Sequence, residues 1–307
     1  MKLTITPQMP FNFKKMMNRL IGAQKTQLVH ISDDLLCYER IVRFNEAVFY
    51  LKVSCKDKVS KQQLICDIQV LRGDLAPEEA EQAVYRIFSL NVNLEEFYEA
   101  AGKDKRLDAL CRQFNGLRLV TDTDLFESIV KIIIGQQVNL TFAGTLINRL
   151  TELAGKTIQI EGRELQIFPE VSEIAALDYS QLRELQFSQR KAEYIIDLAR
   201  LIADGTVKLD DLWEKTDEEI IQTLLPLRGI GRWTIECLLI FGMGRPDVLP
   251  AADIGLRNGI KKTWELDSQP SEEEVRELAK HWLPWRTYVT YYLWESLAKE
   301  PAVPQNP

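Results

Sequence analysis

The sequence predicts an α+β protein in which a small antiparallel β-sheet domain with flanking helices precedes a larger, mostly α-helical domain. Two observations support this class. Residues 27–71 mostly alternate apolar and polar side chains, as strands do, whereas apolar residues recur at helical spacing from about residue 105 onwards. The 307 residues are enough for two or three packed units. We therefore predict a sheet domain at 1–105, a helical domain at 106–298 and a loose, proline-containing tail at 299–307.

The N-terminal elements begin with two strands, at 40–44 and 47–53, which flank a two-residue turn. A third strand is predicted at 64–70, where apolar residues alternate with polar ones. Pro77 opens a helix whose first turn is acidic, as suits the helix dipole, and Asn93 is a suitable N-cap for the next helix.

The C-terminal elements are helices, interrupted by one β-hairpin at 157–168 that turns at Glu161-Gly162. The first helix is apolar on nearly every face, which is typical of a helix buried at the centre of an α domain. The helices are predicted at 125–150, 181–203, 217–227, 232–243, 254–264 and 272–297.

Composition and motif content argue against a membrane-spanning, secreted or metal-cluster protein. No run of about 18 apolar residues could cross a bilayer, and the N-terminus lacks the pattern of a secretory signal. The five cysteines form no C-x-x-C pair, which disfavours an iron–sulfur cluster or a structural zinc site and fits a reducing compartment. We expect a cytoplasmic, nucleoid-associated protein without a membrane partner. The cysteines are Cys37, Cys55, Cys66, Cys111 and Cys237.

The net charge of −7 and the pI of about 5.2 count against a protein that coats nucleic acid, because phosphate neutralisation needs clustered Lys and Arg. Residues 226–262 are locally different. They contain six basic and three acidic residues, which leaves a net charge of +3.

A glycine-containing turn, Gly229-Ile230-Gly231, joins two predicted helices within this basic stretch. Glycines allow positive φ and a close approach of the backbone to a ligand. The N–H groups that begin the second helix, assisted by Arg232, could hold a phosphate. Because such turns also occur in plain αα-hairpins, the turn alone leaves DNA binding and simple helix packing both open.

Asp253 precedes a helical run about twenty residues later. A lone Asp at this position is usually an N-cap. A carboxylate fixed at a helix N-terminus is also the anion that a developing sugar cation requires, so both roles are compatible.

Four separated segments together resemble a known family. The segment from Leu227 reads LRGIGRWT and that from Leu249 reads LPAADIGLR; the other two are FESIVKIIIGQQV from Phe126 and LPWRTY from Leu283. In this order they resemble the helix-hairpin-helix (HhH-GPD) DNA glycosylase superfamily, in particular its AlkA-type branch, DNA-3-methyladenine glycosylase II. The resemblance covers about residues 107–297.

The resemblance implies that Asp253 is the catalytic carboxylate, stabilising the oxocarbenium-like transition state and orienting or deprotonating water. Trp233 occupies the position of the Schiff-base lysine of glycosylase–lyases, so simple hydrolysis to an abasic site is expected. Bases alkylated at N3 or N7 of a purine already carry positive charge and leave without a strong general acid. His30 and His281 are accordingly expected to be surface or packing residues.

The resemblance also implies a base pocket. The tryptophans would stack on a flipped base, although an isolated Trp in a helical domain is more often a core residue. Two pocket positions are not aromatic here, and Phe11 and Phe13 are candidates to compensate. The pocket residues are Trp233, Trp294, Cys237 and Ile254.

The remaining implied contacts involve DNA and a cation. Gln136 and Gln137 stand where the family inserts a probe into the gap left by the flipped nucleotide. The implied DNA-binding residues are Gln136, Gln137, Gly229, Gly231, Arg232 and Thr234. A structural Na⁺ or K⁺ at the hairpin would be held by the backbone carbonyls of Leu225, Leu227 and Ile230.

The resulting prediction is a monofunctional, monomeric glycosylase that removes alkylated bases of the 3-methyladenine and 7-methylguanine type from double-stranded DNA and requires no cofactor. Two alternatives stay open at this point. One is a noncatalytic DNA-damage-binding protein that keeps the hairpin, and the other is a glycosylase for oxidised or deaminated bases.

Overall fold

The computed structural model describes residues 1–23, 26–56 and 62–298, so the predicted tail at 299–307 lies outside the described residues. Within the described residues, no helix is both long enough and apolar enough to span a membrane.

Five antiparallel strands form the N-terminal sheet in the order β1-β5-β4-β3-β2. The predicted two-residue turn is confirmed, since Phe44 pairs with Ala47 and Asn45 has a φ of 53°. The first strand was not predicted. The strands are β1 (Lys2–Ile5), β2 (Val29–Ile31), β3 (Cys37–Phe44), β4 (Ala47–Lys56) and β5 (Gln63–Arg72).

Helices make up most of the rest of the described chain. The predicted hairpin is present as β6 (Lys156–Ile160) and β7 (Arg163–Ile167), and two 3₁₀ segments lie at Asp210–Glu214 and Ala279–Trp282. The helices are α1 (Phe13–Ala23), α2 (Pro77–Ile87), α3 (Leu94–Ala101), α4 (Lys105–Gln113), α5 (Leu125–Gly135), α6 (Leu140–Ala154), α7 (Val171–Ala175), α8 (Tyr179–Glu184), α9 (Gln189–Ala203), α10 (Asp217–Leu224), α11 (Arg232–Phe241), α12 (Ile254–Thr263), α13 (Glu272–Leu278) and α14 (Arg286–Leu297).

Three predicted helices are each interrupted in the structure. The helix predicted at 125–150 breaks after α5, because Gln137 has a φ of 56° and the Asn139 side chain caps α6 by accepting from the Phe142 N–H. Ser188 caps α9 in the same way by accepting from the Lys191 N–H. The C-terminal helix is interrupted at Pro284, which cannot continue a helical hydrogen-bond ladder.

The sheet and the helices share one hydrophobic core, so the core continues across the predicted boundary at 105/106, which falls in the first turn of α4. A buried ion network crosses this interface: the Arg40 guanidinium donates to both carboxylate oxygens of Glu127 at 2.9 and 3.0 Å. Lys131 binds Asp122 at 2.7 Å and Glu127 at 3.3 Å. The network therefore fixes the sheet against α5.

The β6–β7 hairpin covers part of the opposite face of the sheet. Ile160 and Leu165 of the hairpin pack in a second buried cluster with Ile41, Val48 and Tyr50 of β3 and β4. An insertion into the helical region thus contributes to the burial of the N-terminal sheet.

Candidate active site

A cavity of about 960 Å³ lies where α1, α11, α12 and α14 meet. Asp253, Trp233, Cys237 and Trp294 all line it. Residues of three helices, α11, α12 and α14, that were expected to act together therefore meet at one cavity, with Asp253 at the N-cap of α12.

The Asp253 carboxylate accepts three hydrogen bonds from neutral donors. Its Oδ1 accepts from the Leu256 N–H at 2.7 Å and from the Trp294 Nε1–H at 2.8 Å. Its Oδ2 accepts from the Trp233 Nε1–H at 2.9 Å. No lysine or arginine of the described chain forms an ion pair with it. The site therefore holds an anion that no cation neutralises.

Gly255 makes this arrangement sterically possible. A Cβ at position 255 would lie 2.9 Å from Asp253 Oδ1 and 3.0 Å from Trp294 Nε1. Any side chain would therefore press against the hydrogen bond between the carboxylate and the indole.

Trp233, Trp294 and Phe241 form the aromatic wall of the cavity, and Phe241 was not predicted to belong to the site. Phe241 lines the cavity and stacks on Trp294, with ring centroids 5.7 Å apart and an interplanar angle of 15°. The Cys237 thiol is buried beside these rings. Burial raises its pKa well above the usual value, and the negative charges of Asp253 and Glu236 act in the same direction.

Three of the expected pocket residues do not line the cavity. Ile254 is 66% exposed and lies outside the lining of the cavity, because its side chain projects from the first turn of α12 into solvent. Phe11 and Phe13 are buried in the core and do not reach the cavity. The N-terminal region does contribute to the cavity, but through Lys15 and Arg19.

The α1 side of the cavity is polar and charged. Lys15, Asn18 and Arg19 line it, and the Arg19 guanidinium donates to Glu295 Oε2 of α14 at 2.7 Å. This wall could not be predicted from the sequence, because α1 was not predicted and the ion pair joins residues 276 positions apart.

The hairpin turn lies between α10 and α11. Gly229 has a φ of 85° and approaches Tyr194 so closely that a Cβ would lie 2.2 Å from the ring. Gly231 has a φ of −95°, so it does not use the positive φ that a glycine allows; a Cβ on it would meet open space. Arg232 is exposed and its Nε–H donates to the Glu236 carboxylate at 3.0 Å. The backbone at the start of α11 is thus open to a ligand.

Two of the expected DNA-binding side chains are instead part of an internal brace. The Gln136 amide donates to the Gly229 carbonyl at 3.0 Å and to the Thr234 hydroxyl at 2.9 Å. Thr234 is buried, so its hydroxyl contacts Gln136 and is not exposed to DNA. Gln137 is exposed, and Leu140, which was not predicted, is 54% exposed on the rim of the cavity.

The hairpin and the cavity residues Trp233 and Asp253 fall within a match to a family model. The model described as HhH-GPD superfamily base excision DNA repair protein matches residues 130–284, about half of the chain. This chain belongs to that superfamily. A model of the N-terminal domain of 8-oxoguanine DNA glycosylases matches residues 10–129.

Relatives within the superfamily cover most of the chain. The Bacillus subtilis (strain 168) protein YfjP, whose name assigns it provisionally to the DNA-3-methyladenine glycosylases, is 35% identical over 298 residues, covering 96% of this chain and 98% of the relative. A second B. subtilis protein, named DNA-3-methyladenine glycosylase, is 34% identical over 220 residues, covering 72% and 73%. The solved structure of a 3-methyladenine DNA-glycosylase from Archaeoglobus fulgidus has the same fold, with a TM-score of 0.82, 23% identity and coverage of 95% and 97%.

The three hairpin carbonyls differ in their hydrogen bonding. The Leu227 carbonyl accepts from the Ile230 N–H at 3.1 Å, whereas the carbonyls of Leu225 and Ile230 accept no hydrogen bond from the described residues. Two of the three carbonyls expected to hold Na⁺ or K⁺ are therefore free to bind a cation. The described residues contain no group of three His, Cys, Asp or Glu placed to hold a metal ion.

Neither histidine takes part in the cavity. His281 is exposed on a 3₁₀ turn and His30 is half-buried in β2. All five cysteines are free thiols.

Proposed function

We propose that this protein is a monofunctional DNA glycosylase that hydrolyses the N-glycosidic bond of alkylated bases, of the 3-methyladenine and 7-methylguanine type, in duplex DNA during base excision repair. The observation that carries the proposal is the Asp253 carboxylate, held by three neutral donors on the wall of a cavity of about 960 Å³. The names of the B. subtilis relatives support the same activity.

Asp253 acts on the sugar. As the bond between C1′ and the base breaks, positive charge develops on the sugar, and a preorganised anion stabilises that charge without reorganising. The two indole N–H groups and the α12 N-terminus hold the carboxylate in one orientation while leaving its charge intact. The same carboxylate orients or deprotonates the attacking water.

The aromatic wall acts on the base. An extruded base that carries a positive charge is attracted to aromatic faces by about 0.5–2 kcal/mol per ring. Trp233 and Trp294 lie beside Asp253, and Phe241 stacks on Trp294. The wall would therefore favour a cationic, alkylated base over a neutral one.

Hydrolysis is favoured over lyase chemistry because the amines that line the cavity are already engaged. Trp233 occupies the expected lysine position. The Lys15 ammonium donates to the carbonyls of Gln113 and Asn115, and the Lys262 ammonium donates to the Ser296 carbonyl. We expect borohydride to trap no covalent complex with abasic DNA.

The decisive experiment is to measure release of 3-methyladenine and 7-methylguanine from methylated duplex DNA by the native protein and by Asp253→Asn. Asn is as good an N-cap as Asp, so the variant should fold, while turnover should fall by roughly 10²–10³-fold because the charge is lost. Undiminished release by the variant would contradict the mechanism. Tight binding without release by the native protein would indicate a damage-binding protein. A parallel assay on duplexes that contain an oxidised or deaminated base tests the other specificity, which release from those duplexes alone would indicate.

We further propose that the protein acts as a monomer and that Na⁺ or K⁺ bound by the carbonyls of Leu225, Leu227 and Ile230 stiffens the hairpin against DNA phosphates. Exchange of K⁺ for tetramethylammonium at constant ionic strength should then weaken DNA binding, since the larger cation cannot enter the turn. Equal affinity in the two salts would refute the cation site, and light scattering of the complex tests the monomer.

A further inference from the structure

A partly shielded ion pair lies in the wall of the cavity. Arg19 of α1 and Glu295 of α14 both line the cavity, and their charged groups are 2.7 Å apart. The side chains are only 17% and 12% exposed. The Arg19 guanidinium also lies 5.0 Å from the centre of the Tyr291 ring, which confines it on a second side.

Along α14, one member of this ion pair comes directly after a residue of the aromatic wall. Glu295 is the next residue after Trp294, whose indole binds Asp253. A base that contacts Trp294 would therefore meet the ion pair on an adjacent part of the same wall. Trp294 and Glu295 are close to each other because they are consecutive residues near the end of α14.

Both members of the pair have hydrogen-bonding capacity left. A guanidinium carries five N–H donors and a carboxylate about four acceptor positions. Within the described part of the chain, Arg19 Nη1 donates to Glu295 Oε2, and the Arg19 guanidinium also hydrogen-bonds the Tyr291 side chain. The wall therefore presents donors beside acceptors in a place shielded from water, where unmatched polar groups are costly.

We propose that Arg19 and Glu295 recognise the Watson–Crick edge of the extruded base and select alkylated guanines. In this arrangement the Arg19 guanidinium donates to O6, and the Glu295 carboxylate accepts from N1–H and the 2-amino group. The inference rests on the proposed glycosylase function and specifies its substrate class.

Adenine lesions fit the same pair poorly. In the same placement, the 6-amino group of 3-methyladenine would direct its hydrogens at the Arg19 donors, and N1 would direct a lone pair at the Glu295 carboxylate. Both contacts are repulsive, and a site with polar groups that stay unpaired discriminates strongly. The aromatic wall alone would accept both cationic bases.

The test compares kcat/KM for the release of 7-methylguanine and of 3-methyladenine from methylated duplex DNA. The native protein should favour 7-methylguanine. Glu295→Gln replaces one acceptor by a donor at constant volume, so 7-methylguanine release should fall by roughly tenfold or more while 3-methyladenine release changes little. The exchange Arg19→Glu with Glu295→Arg keeps an ion pair between α1 and α14 but reverses its order, and it should shift the ratio towards 3-methyladenine.

A matched control is Asp217→Asn, which removes the half-exposed ion pair with Arg245 outside the cavity and should leave the ratio unchanged.

The outcomes separate the two proposals. No release of either base by the native protein would refute the glycosylase function. The inference is overturned if the native protein releases both bases and the Glu295→Gln and exchanged variants keep the native ratio of kcat/KM values while Tm falls. The pair would then only join the two helices.

Discussion

Asp253 combines a structural and a chemical role in one side chain. Its Oδ1 caps α12 through the Leu256 N–H, and both of its oxygens accept an indole N–H. The cap alone would be served equally well by Asn. Two indole donors aimed at one carboxylate go beyond the needs of a cap, and they favour an anion at this position.

Gly255 offers a test of this geometry that removes none of the functional groups of the site. Gly255→Ala puts a methyl group 2.9 Å from Asp253 Oδ1 and 3.0 Å from Trp294 Nε1, so the carboxylate or the indole must move. Because a small misplacement of a catalytic group is costly, we expect kcat to fall by roughly 10²-fold. Base release measured beside Tm checks this, and Gly135→Ala, whose Cβ meets open space in a helix and at no positive φ, controls for the loss of a helical glycine. Full activity of Gly255→Ala would show that the contact is unimportant.

At the residue scale, sequence could identify the members of the site that belong to motifs. Asp253 and Trp233 stand in contiguous, distinctive segments, and the structure places both on the cavity. Arg19, Glu295 and Phe241 were missed, because a single charged or aromatic residue in a helix has no local signature. Their roles arise from contacts across the fold, which periodicity does not encode.

The hairpin is the element through which the protein is proposed to hold DNA. Its turn is braced from within by Gln136, which donates to the Gly229 carbonyl and the Thr234 hydroxyl. The exposed start of α11 directs N–H groups outward, next to Arg232. Such a rigid, outward-facing helix N-terminus suits a phosphate.

Arg232→Ala should weaken binding to damaged and undamaged duplexes by the same factor, because a phosphate contact carries no sequence information. The slope of log K against log salt should become shallower by about one. Fluorescence anisotropy titrations at several salt concentrations measure both quantities. Arg163→Ala, on the β6–β7 hairpin, removes a similarly exposed arginine and should have no effect on either. A loss confined to damaged DNA would show that Arg232 contacts the lesion instead.

At the element scale, sequence predicted most helix and strand positions but not every end. The 125–150 helix was predicted as continuous because its apolar periodicity hardly changes across the break. The signals for the break were the Asn139 cap and the positive φ of Gln137, and the latter is visible only in the folded chain. The strand β1 was missed because four residues are too few to establish a period.

Across the whole molecule, the sheet and the helices are joined by buried charge as well as by apolar packing. Arg40 and Lys131 surround Glu127, and all three side chains are largely buried. Two cations beside one carboxylate favour its charged form. The helix α1, which supplies the polar wall of the cavity, packs into the hydrophobic core that spans both parts of the chain. Its orientation depends on that core.

The ion network makes stability depend on pH in a defined direction. Burial alone would raise the pKa of Glu127, but the charges of Arg40 and Lys131 outweigh it and lower the pKa below the ordinary value of 4.5. A carboxyl whose pKa is lower in the folded than in the unfolded state stabilises the fold above its unfolded pKa, and this contribution disappears as pH falls through the folded pKa.

Glu127→Gln should therefore reduce the free energy of unfolding by about 3–5 kcal/mol at pH 7, because it leaves two buried cations with only one carboxylate, that of Asp122. The difference from the native protein should stay constant down to about pH 4.5 and shrink at lower pH, where the native carboxyl also becomes neutral. Urea unfolding at a series of pH values measures this difference. Asp108→Asn, which removes an exposed ion pair with Arg112 on α4, should change stability little at any pH. A Glu127→Gln effect of constant size at every pH would mean that shape and packing, not charge, join the sheet to α5.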